Sequence, residues 1–423
     1  MIRDIVPSVS NFYEAGATRD SYAPLRDDID VDTCVIGGGI AGCSTALHLA
    51  QRGYRVALLE SDCIGHGASG RSGGQLLPGY SCGQAVLQQQ LGNELAHKLW
   101  DISVEAVQLA TNLIKQHNIE CGLRFGHVHV AIKPRHRIEL LQHQAQLQRD
   151  YGYQHLRMIE AAELRSLIDS EKYIAALYDS AAAHIHPLNY TLGLARAAMQ
   201  SGVAIHEQTN VIEIDRQESA VCIRTAKGRV NAKHAVLCCN VDNLTLSKQS
   251  TRIMPVATYM IATEPIDPTY AIMNSQLAVS DCNFIVDYFR MVDSRLLFGG
   301  GVSYSGHAHS FSMRRIQQRM LKVFPQLCET KIDYAWHGLI DISMNRAPDF
   351  GRLYNNIYYL QGFSGHGLAL ATMSGRLIAD SIAMQNEQFD LFSRINHRSF
   401  PGGVLRTPLL MLAMLWYRVR DAL

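Results

Sequence analysis

The sequence predicts an α/β fold in which an α+β domain, built on a mostly antiparallel sheet, is inserted into a domain with a parallel sheet. Three observations support this prediction. Residues 31–60 have the pattern of strand, helix and strand, the unit from which parallel sheets are built. Residues 254–336 alternate apolar and polar side chains, as in antiparallel strands with one covered face. A strand and helix pattern at 358–384 then returns the chain to the first domain.

The composition sets limits on function. The 423 residues, 47% of them apolar, suffice for two cores, and the formal net charge is +1. No basic stripe suggests a nucleic-acid partner. The ten cysteines are scattered without a Cys-x-x-Cys pair, so we expect free thiols in a reducing, cytoplasmic compartment. The N-terminus lacks the apolar core of an export signal, and no apolar run reaches the roughly 20 residues of a membrane-spanning helix.

The first motif is a cluster of glycines between a strand at 33–36 and a helix at 40–51. Gly37, Gly39 and Gly42 have the Gly-x-Gly-x-x-Gly spacing. The first glycine permits a tight turn, the second lets a pyrophosphate approach the backbone, and the third lets the helix lie against the sheet. N–H groups at the start of the helix then face the phosphates.

Glu60 adds to this motif, because it ends the second strand, predicted at 55–59. A carboxylate there can accept hydrogen bonds from the hydroxyl groups of an adenosine ribose. The stretch therefore predicts a Rossmann-like dinucleotide-binding domain. A glycine turn that only packs tightly is the alternative.

A second glycine-rich stretch, SDCIGHGASGRSGGQLLPG, follows Glu60. Such a loop cannot form a core of its own, so its backbone donors must point at a partner. Arg71 lies in its middle, where an anion or an electron-rich ring would pair with it. A flexible surface loop is the other interpretation.

The middle of the chain predicts a long helix at 85–117, a strand at 124–132 and a helix at 137–151. The histidines here have no carboxylate or cysteine at ligand spacing, so we expect no metal site; they are His127, His129, His136 and His143. Beyond them, a helix is predicted at 189–201 and strands at 203–206, 211–215 and 235–239.

These patterns predict a discontinuous domain organisation. We expect an N-terminal arm at 1–30, with a possible anchor at residues 11–13, and a C-terminal tail with an apolar helix at 386–423. The dinucleotide-binding domain is predicted to comprise 31–84, 180–250 and 338–385, and the substrate domain 85–179 and 251–337.

The order of GGGIAG, Glu60, GASGRSGGQ, HPLNY and GFSGHGLALATMSGR resembles the FAD-dependent D-amino-acid-oxidase superfamily, which includes sarcosine, glycine and glycerol-3-phosphate oxidising enzymes. Within it, SNFYEAGATRDSYAPL and the ending FPGG with RTPLLMLAMLWYRVRD resemble bacterial gamma-glutamylputrescine oxidoreductases. That subfamily usually has tryptophan where His66 stands and asparagine where Ser72 stands. Both positions lie in the loop expected beside the flavin ring, so the resemblance leaves the substrate and the tuning of the flavin open.

The resemblance implies noncovalent FAD. The turn containing Gly365, His366 and Gly367 opens a helix whose N-terminus would stabilise negative charge at the pyrimidine edge of the flavin. The predicted cofactor-binding residues are Gly37, Gly39, Ile40, Ala41, Gly42, Glu60, Ser61, Ala68, Ser69, Gly70, Arg71, Ser72, Gly74, Gln75, Leu76, Val211, Asn240, Phe363, Gly365, His366, Gly367 and Leu368.

The activity implied is oxidation of a CH–NH bond in a small-molecule amine, with gamma-glutamylputrescine or a related amine of polyamine catabolism as substrate. A dry aromatic pocket would favour the neutral amine. Its candidate walls are Tyr259, Tyr288, Phe289 and Trp336, although aromatic residues on strands also fit a core. Arg290 either binds a substrate carboxylate or is a solvated surface residue. His366 either lines the active site or caps a helix, so the predicted catalytic residues are His366, Tyr259, Tyr288 and Arg290.

Other functions remain open at this point. The chain can be an oxidase of another amine or N-alkyl amino acid, or a flavoprotein whose FAD is only structural. Residues 405–423, LRTPLLMLAMLWYRVRDAL, also fit a peripheral membrane dehydrogenase that passes electrons to quinone. A terminal helix packed on the body or on a second subunit fits them better. The electron acceptor, oxygen or another, and the oligomeric state are not determined by the sequence.

Overall fold

The computed structural model describes residues 11–217, 219–241, 248–303, 310–385 and 387–401. They form strands β1 (Ile29–Ile36), β2 (Val56–Leu59), β3 (Gln75–Leu76), β4 (Arg124–Ala131), β5 (Leu156–Glu160), β6 (Ala175–His184), β7 (Ala204–His206), β8 (Val211–Arg216), β9 (Val221–Thr225), β10 (Arg229–Leu237), β11 (Ile253–Thr263), β12 (Ala278–Asp281), β13 (Tyr288–Val292), β14 (Arg295–Ser303), β15 (Ile332–Ser343), β16 (Asp349–Tyr354) and β17 (Ile357–Gln361). They also form helices α1 (Phe12–Ala15), α2 (Ile40–Gln51), α3 (Gln84–Leu91), α4 (Asn93–Gln116), α5 (Pro134–Tyr151), α6 (Ala161–Leu167), α7 (Pro187–Gln200), α8 (Ser310–Val323), α9 (Leu368–Ile382) and α10 (Gln388–Ser393).

The first sheet confirms the predicted parallel domain. β1 lies in its middle, parallel to β2 on one side and to β10 on the other. The order is β16-β17-β10-β1-β2-β7, and β9 and β8 extend the sheet from the start of β10. β17 is also parallel to β10. The carboxyl ends of β1, β2, β10 and β17 therefore meet at one edge, where open α/β sheets bind their ligands.

Two helices of this domain, α2 and α9, come from opposite ends of the chain and lie against each other. A Cβ placed on Gly375 would lie 2.5 Å from the Ser44 hydroxyl oxygen, so only glycine allows this approach. The Ser44 hydroxyl donates to the carbonyl oxygen of Thr372 in the same contact. The small residues of α9, such as Ser374 and Gly375, therefore allow close helix packing.

The second sheet is mostly antiparallel, as predicted, with the order β15-β11-β14-β13-β12-β4-β6-β3 and β5 paired with β6. The pair of β12 and β4 is parallel. One face packs with α8 in a separate apolar cluster that includes Ile316 and Met320. The other face contributes Met260, Leu297 and Trp336 to the cluster that it shares with the first domain. Side chains on this second face therefore lie toward the first domain.

One predicted helix is wrong in its extent. Residues 85–117 were expected to form a single helix, but α3 ends at Leu91 and α4 begins at Asn93. Gly92 separates them with a φ of 80°, a left-handed value that α-helices do not contain. The apolar spacing continues across this break, so periodicity alone does not locate it.

The domain boundaries remain a proposal. The divisions predicted after residues 179 and 337 fall within β6 and β15, which run on without interruption. Among the described residues, no helix is long and apolar enough to cross a bilayer. The apolar stretch 405–423 lies outside the described residues.

Candidate active site

The glycine turn after β1 is shaped to bring the backbone close to a ligand. Gly37 has a φ of 110°, and a Cβ there would lie 2.5 Å from the carbonyl oxygen of Cys238. A Cβ on Gly42 would overlap the carbonyl oxygen of Gly37. The first N–H groups of α2 have no intrahelical acceptor. This turn therefore fits the pyrophosphate of a dinucleotide in the way predicted for Gly37, Gly39 and Gly42.

Glu60 follows β2, at the same edge of the sheet. Its Oε2 accepts from the N–H of Gly38 at 2.6 Å, and its Oε1 accepts from Ser61 Oγ at 3.1 Å and from the N–H of Asp62 at 2.8 Å. These bonds fix the carboxylate beside the glycine turn. Because a carboxylate has about four acceptor positions, it can still accept from a ribose hydroxyl.

The loop after Glu60 is ordered by specific contacts. Ser69 Oγ accepts from the N–H of Ile40, the first residue of α2, at 3.0 Å. The carbonyl oxygen of Gly70 accepts from the side-chain amide of Asn11 at 2.9 Å. The loop is therefore tied to the helix that would bind phosphate and to the N-terminal segment, which argues against a flexible surface loop.

Arg71 joins this loop to the second sheet. Its Nε donates to the carbonyl oxygen of His66 at 2.8 Å, and its Nη1 donates to that of His337 at 3.3 Å. Trp336, which is fully buried, donates from Nε1 to the carbonyl oxygen of Arg71 at 3.0 Å. Trp336 is therefore part of the contact between the two domains, and Arg71 positions the loop.

Tyr288 on β13 lies on the face toward this loop. A Cβ on Gly73 would lie 2.7 Å from the Tyr288 ring, and a Cβ on Gly299 would overlap the same ring. The two glycines therefore make room for the tyrosine between the loop and β14. Burial raises the pKa of Tyr288 above its usual range, so the phenol stays protonated at neutral pH.

Arg290, two residues along the same strand, is 4% exposed. Its Nη1 donates to Nδ1 of His184 at 2.9 Å, and its Nη2 donates to the hydroxyl of Tyr13 at 3.1 Å. Nε has no hydrogen-bond partner among the described residues, and none of their carboxylates forms an ion pair with this guanidinium. A Cβ on Gly74 would lie 2.7 Å from Nη2, which places Arg290 against the loop. The burial excludes the interpretation of Arg290 as a solvated surface residue.

The histidines around Arg290 are held neutral. Burial and the Arg290 cation together lower the pKa of His184 to about 4 and that of His186 to about 4. Nε2 of His184 lies 2.7 Å from the carbonyl oxygen of Gln276, which can only accept, so this nitrogen carries the hydrogen. The guanidinium of Arg290 is consequently the positively charged group of this cluster. Its Nε–H can still donate a hydrogen bond to a ligand.

The turn before α9 follows β17 and lies at the same edge of the first sheet as the glycine turn after β1. Asp341, which is 2% exposed, accepts from the N–H of Gly362. Burial raises the pKa of Asp341 to about 7. Nε2 of His366 lies 3.1 Å from the carbonyl oxygen of Pro78, and burial lowers the pKa of His366. His366 is therefore a neutral imidazole oriented by a second loop, and its catalytic role stays a prediction.

The structure does not bring all predicted catalytic residues together. Tyr259 and Phe289 lie in the apolar cluster that contains α8, on the opposite face of the sheet from Tyr288 and Arg290. Tyr259 is 1% exposed there. Neighbouring residues of a strand face opposite sides of the sheet, so Phe289 points away from Tyr288. Tyr259 lies on the same side as Phe289, and this position does not support a place for Tyr259 in the substrate wall.

The remaining predicted cofactor-binding residues lie near the ends of these same strands, except for one. Val211 begins β8, in the antiparallel extension. The others are Ala41 in α2, Ala68 and Ser72 in the loop after β2, Gln75 and Leu76 on β3, Asn240 after β10, and Phe363, Gly365, Gly367 and Leu368 around the start of α9. Their contacts with FAD remain a proposal.

Three residues of the cluster were missed from the sequence. Tyr13 is fully buried in α1, within the possible anchor predicted for the N-terminal arm, but no place in the site was predicted for it; its ring lies 5.5 Å from that of Trp336. His184 and His186 flank an isoleucine before the proline that starts α7. The available signal was the HPLNY motif, which begins at His186 and was used for the resemblance without a role for the histidine.

The family profile of the FAD dependent oxidoreductases, abbreviated DAO, matches residues 32–381. The chain belongs to this family and is an FAD-dependent oxidoreductase acting on amines or amino acids. It is 38% identical to the gamma-glutamylputrescine oxidoreductase of Escherichia coli K12, with 98% of each chain covered. It is 35% identical to a probable oxidoreductase, OrdL, of Haemophilus influenzae, with 98% of this chain and 97% of the relative covered.

Solved structures agree on the fold. Glycine oxidase from Geobacillus kaustophilus superposes with a TM-score of 0.74 at 21% identity, over 88% of this chain and 100% of the other. L-proline dehydrogenase from P. horikoshii gives 0.72 at 21% identity, over 87% of this chain and 98% of the other. At these identities the likeness establishes the fold and leaves the substrate open.

Proposed function

We propose that this protein oxidises the CH–NH bond of an amine that carries a carboxylate group, and that gamma-glutamylputrescine is the substrate. The observation that carries the proposal is the buried guanidinium of Arg290, which has an unpaired Nε and no carboxylate partner among the described residues. A buried cation without a counter-ion is costly, and a bound carboxylate would compensate it. The relative that shares 38% of its residues is named for such a substrate.

In this proposal, Arg290 binds and orients the substrate through its carboxylate, because a guanidinium can donate two parallel hydrogen bonds to that group. Tyr13 and His184 hold the guanidinium in place. When bound, FAD supplies the acceptor for the hydride that leaves the carbon beside the nitrogen. The resulting imine is hydrolysed by water to an aldehyde and ammonia, or an amine where the nitrogen is substituted.

The substrate nitrogen must lose its proton before the hydride leaves. A free alkyl ammonium has a pKa of about 10. Burial beside the Tyr288 ring disfavours a positive charge on the substrate nitrogen, so the amine would bind in its neutral form. The neutral imidazole of His366 is our candidate for a group that accepts a hydrogen bond from this neutral amine.

Noncovalent FAD, the cytoplasmic location and a small-molecule electron acceptor, oxygen or another, belong to the same proposal. An oxidase of N-alkyl amino acids is the second candidate, since it would use the same guanidinium. The stretch that favoured a quinone-reducing membrane dehydrogenase lies outside the described residues, so that alternative rests on sequence alone.

The test is anaerobic reduction of the bound flavin. The purified holoenzyme is mixed with gamma-glutamylputrescine, putrescine or N-methyl amino acids, and the visible flavin band is followed. We expect bleaching by gamma-glutamylputrescine and little by putrescine, which lacks the whole gamma-glutamyl group, its carboxylate included. Bleaching by putrescine at the same rate would overturn the role of the carboxylate. Bleaching by an N-methyl amino acid alone would show that the substrate is an N-alkyl amino acid and not gamma-glutamylputrescine. Admission of air then shows whether oxygen reoxidises the flavin.

A further inference from the structure

A turn outside the cluster around Arg290 contains three side chains of different metal-binding types. Asp62, Cys63 and His66 each offer one ligand atom, and these atoms lie within 4.8 Å of one another. Nδ1 of His66 is 3.3 Å from a carboxylate oxygen of Asp62. Zinc sites commonly take two ligands that are separated by two to five residues, and Cys63 and His66 are separated by two. The expectation that the chain has no metal site concerned other histidines, at positions 127, 129, 136 and 143.

The backbone of this turn is fixed, so the three side chains project from a rigid base. The N–H of His66 donates to the carbonyl oxygen of Cys63 at 3.0 Å, which closes the turn. The turn is held to the rest of the protein by Asp62 N–H to Glu60 Oε1 at 2.8 Å, Ile64 N–H to Glu207 Oε1 at 2.7 Å, and Gly65 N–H to the Gly38 carbonyl oxygen at 2.9 Å. A preformed base lowers the entropy lost when ligands are ordered around an ion.

The local charge also favours a cation. Arg19 lies nearby, but Glu14 pairs with it through two hydrogen bonds of 3.0 and 2.6 Å, which offsets its charge. The side chains of His66 and Asp62 are 48% and 50% exposed, so an ion can enter from solvent. Cys63 is only partly exposed, which shields its sulfur from other reactions.

We propose that Asp62, Cys63 and His66 bind one divalent cation of the zinc type, with water at the fourth position. Thiolate, imidazole and carboxylate are together a ligand set that suits Zn²⁺ in tetrahedral geometry, and they select against Mg²⁺ and Ca²⁺, which take oxygen ligands. Binding displaces the thiol proton of Cys63 to solvent, so affinity rises with pH.

This site is linked to the flavin-binding loop. The carbonyl oxygen of His66 accepts from Nε of Arg71 at 2.8 Å, and Arg71 in turn contacts the second sheet. A cation that fixes His66 would therefore restrain the loop that connects the two sheets. The consequence is a surface site through which zinc can change how firmly the loop is held.

The first test measures zinc affinity of the FAD-loaded enzyme by competition with a chromophoric chelator. We expect one high-affinity Zn²⁺ per chain, and a loss of at least about tenfold in affinity in Cys63→Ser and in His66→Gln. Two matched controls change the same residue types elsewhere: Cys328→Ser, at an exposed cysteine, and His97→Gln, at a histidine 3.8 Å from Asp101. Flavin content shows that each variant is folded.

The second test uses Co²⁺ in place of Zn²⁺ with the unmodified chain. A cysteine ligand gives a thiolate-to-cobalt charge-transfer absorption in the near ultraviolet, seen as a difference spectrum above the flavin. We expect this band in the unmodified enzyme and in Cys328→Ser, and its absence in Cys63→Ser. No band in the unmodified enzyme, or equal zinc affinity in Cys63→Ser, would overturn the proposal.

Discussion

Nη1 of Arg290 lies 2.9 Å from Nδ1 of His184, so a buried cation donates to a histidine that must stay neutral to accept. A protonated His184 would carry hydrogen on both ring nitrogens and would repel the guanidinium. The orientation of the proposed carboxylate anchor therefore depends on the protonation of a residue that need not touch the substrate.

Replacing Arg290 by glutamine should raise KM for gamma-glutamylputrescine by about 10- to 100-fold, the cost of losing a charge-assisted hydrogen bond to a buried group. Oxidation of putrescine, which offers no carboxylate, should change much less. Steady-state kinetics with both substrates measure the difference. Arg295→Gln is the control, because Arg295 pairs with Asp333 at the edge of the same sheet. An equal loss with both substrates would contradict a carboxylate-binding role.

Acid should destabilise the protein through His184 and His186. Their pKa is about 4 in the folded chain and about 6.5 when unfolded. The folded state therefore binds fewer protons between these values, and stability present above about pH 6.5 is lost as the pH falls toward 4. Thermal unfolding at fixed FAD concentration across this window should show a smaller pH dependence in His184→Gln. His97→Gln, at a half-exposed histidine, should behave as the unmodified chain.

Two alanine substitutions in one loop should have opposite outcomes. A Cβ on Gly70 would overlap the carbonyl oxygen of Gly65 and lie 2.9 Å from Leu188, whereas a Cβ on Gly67 meets nothing within 4 Å. Gly67 also has a negative φ of −73°, so alanine there meets no left-handed backbone strain. We expect Gly70→Ala to lose FAD during gel filtration and Gly67→Ala to retain it. Retention by both would show that the loop tolerates displacement.

Substitutions of the two tyrosines predicted to be catalytic should have different effects, on stability for Tyr259 and on catalysis for Tyr288. Tyr259→Leu removes a ring from the cluster around α8, so unfolding free energy should fall by roughly 2–4 kcal/mol while KM is kept. Tyr288→Leu alters the face beside the loop, so kcat/KM should fall by at least about tenfold. Chemical denaturation and steady-state kinetics on both variants make the comparison. A kinetic defect in Tyr259→Leu with normal stability would restore it as an active-site candidate.

The flavin-binding domain was predictable because its local signals agree with its fold. The predicted helix at 40–51 is α2 to the residue, and Glu60 follows β2 as expected. Glycine spacing reports a geometric need that few other arrangements share, so Gly37 and Gly42 could be assigned before any coordinates.

The cluster around Arg290 was less predictable, because its members are distant in the chain. Tyr13 and Arg290 are 277 residues apart and meet only when the N-terminal segment reaches the second sheet. The face of a strand is set by register, and the bulge between Thr258 and Tyr259 offsets the register of β11 against β14. Tyr259 was consequently grouped with Tyr288 from its residue type alone.

The contact between α2 and α9 also bears on how the chain is made. Ser44 emerges from the ribosome more than 300 residues before Gly375, which packs on it. At about 5–20 residues per second, the glycine turn waits some tens of seconds for the helix that covers its sheet. A growing chain therefore holds its nucleotide-binding turn early but completes that domain among the last. Truncation anywhere before α9 would leave the earlier strands with an uncovered apolar face, a target for chaperones and proteases.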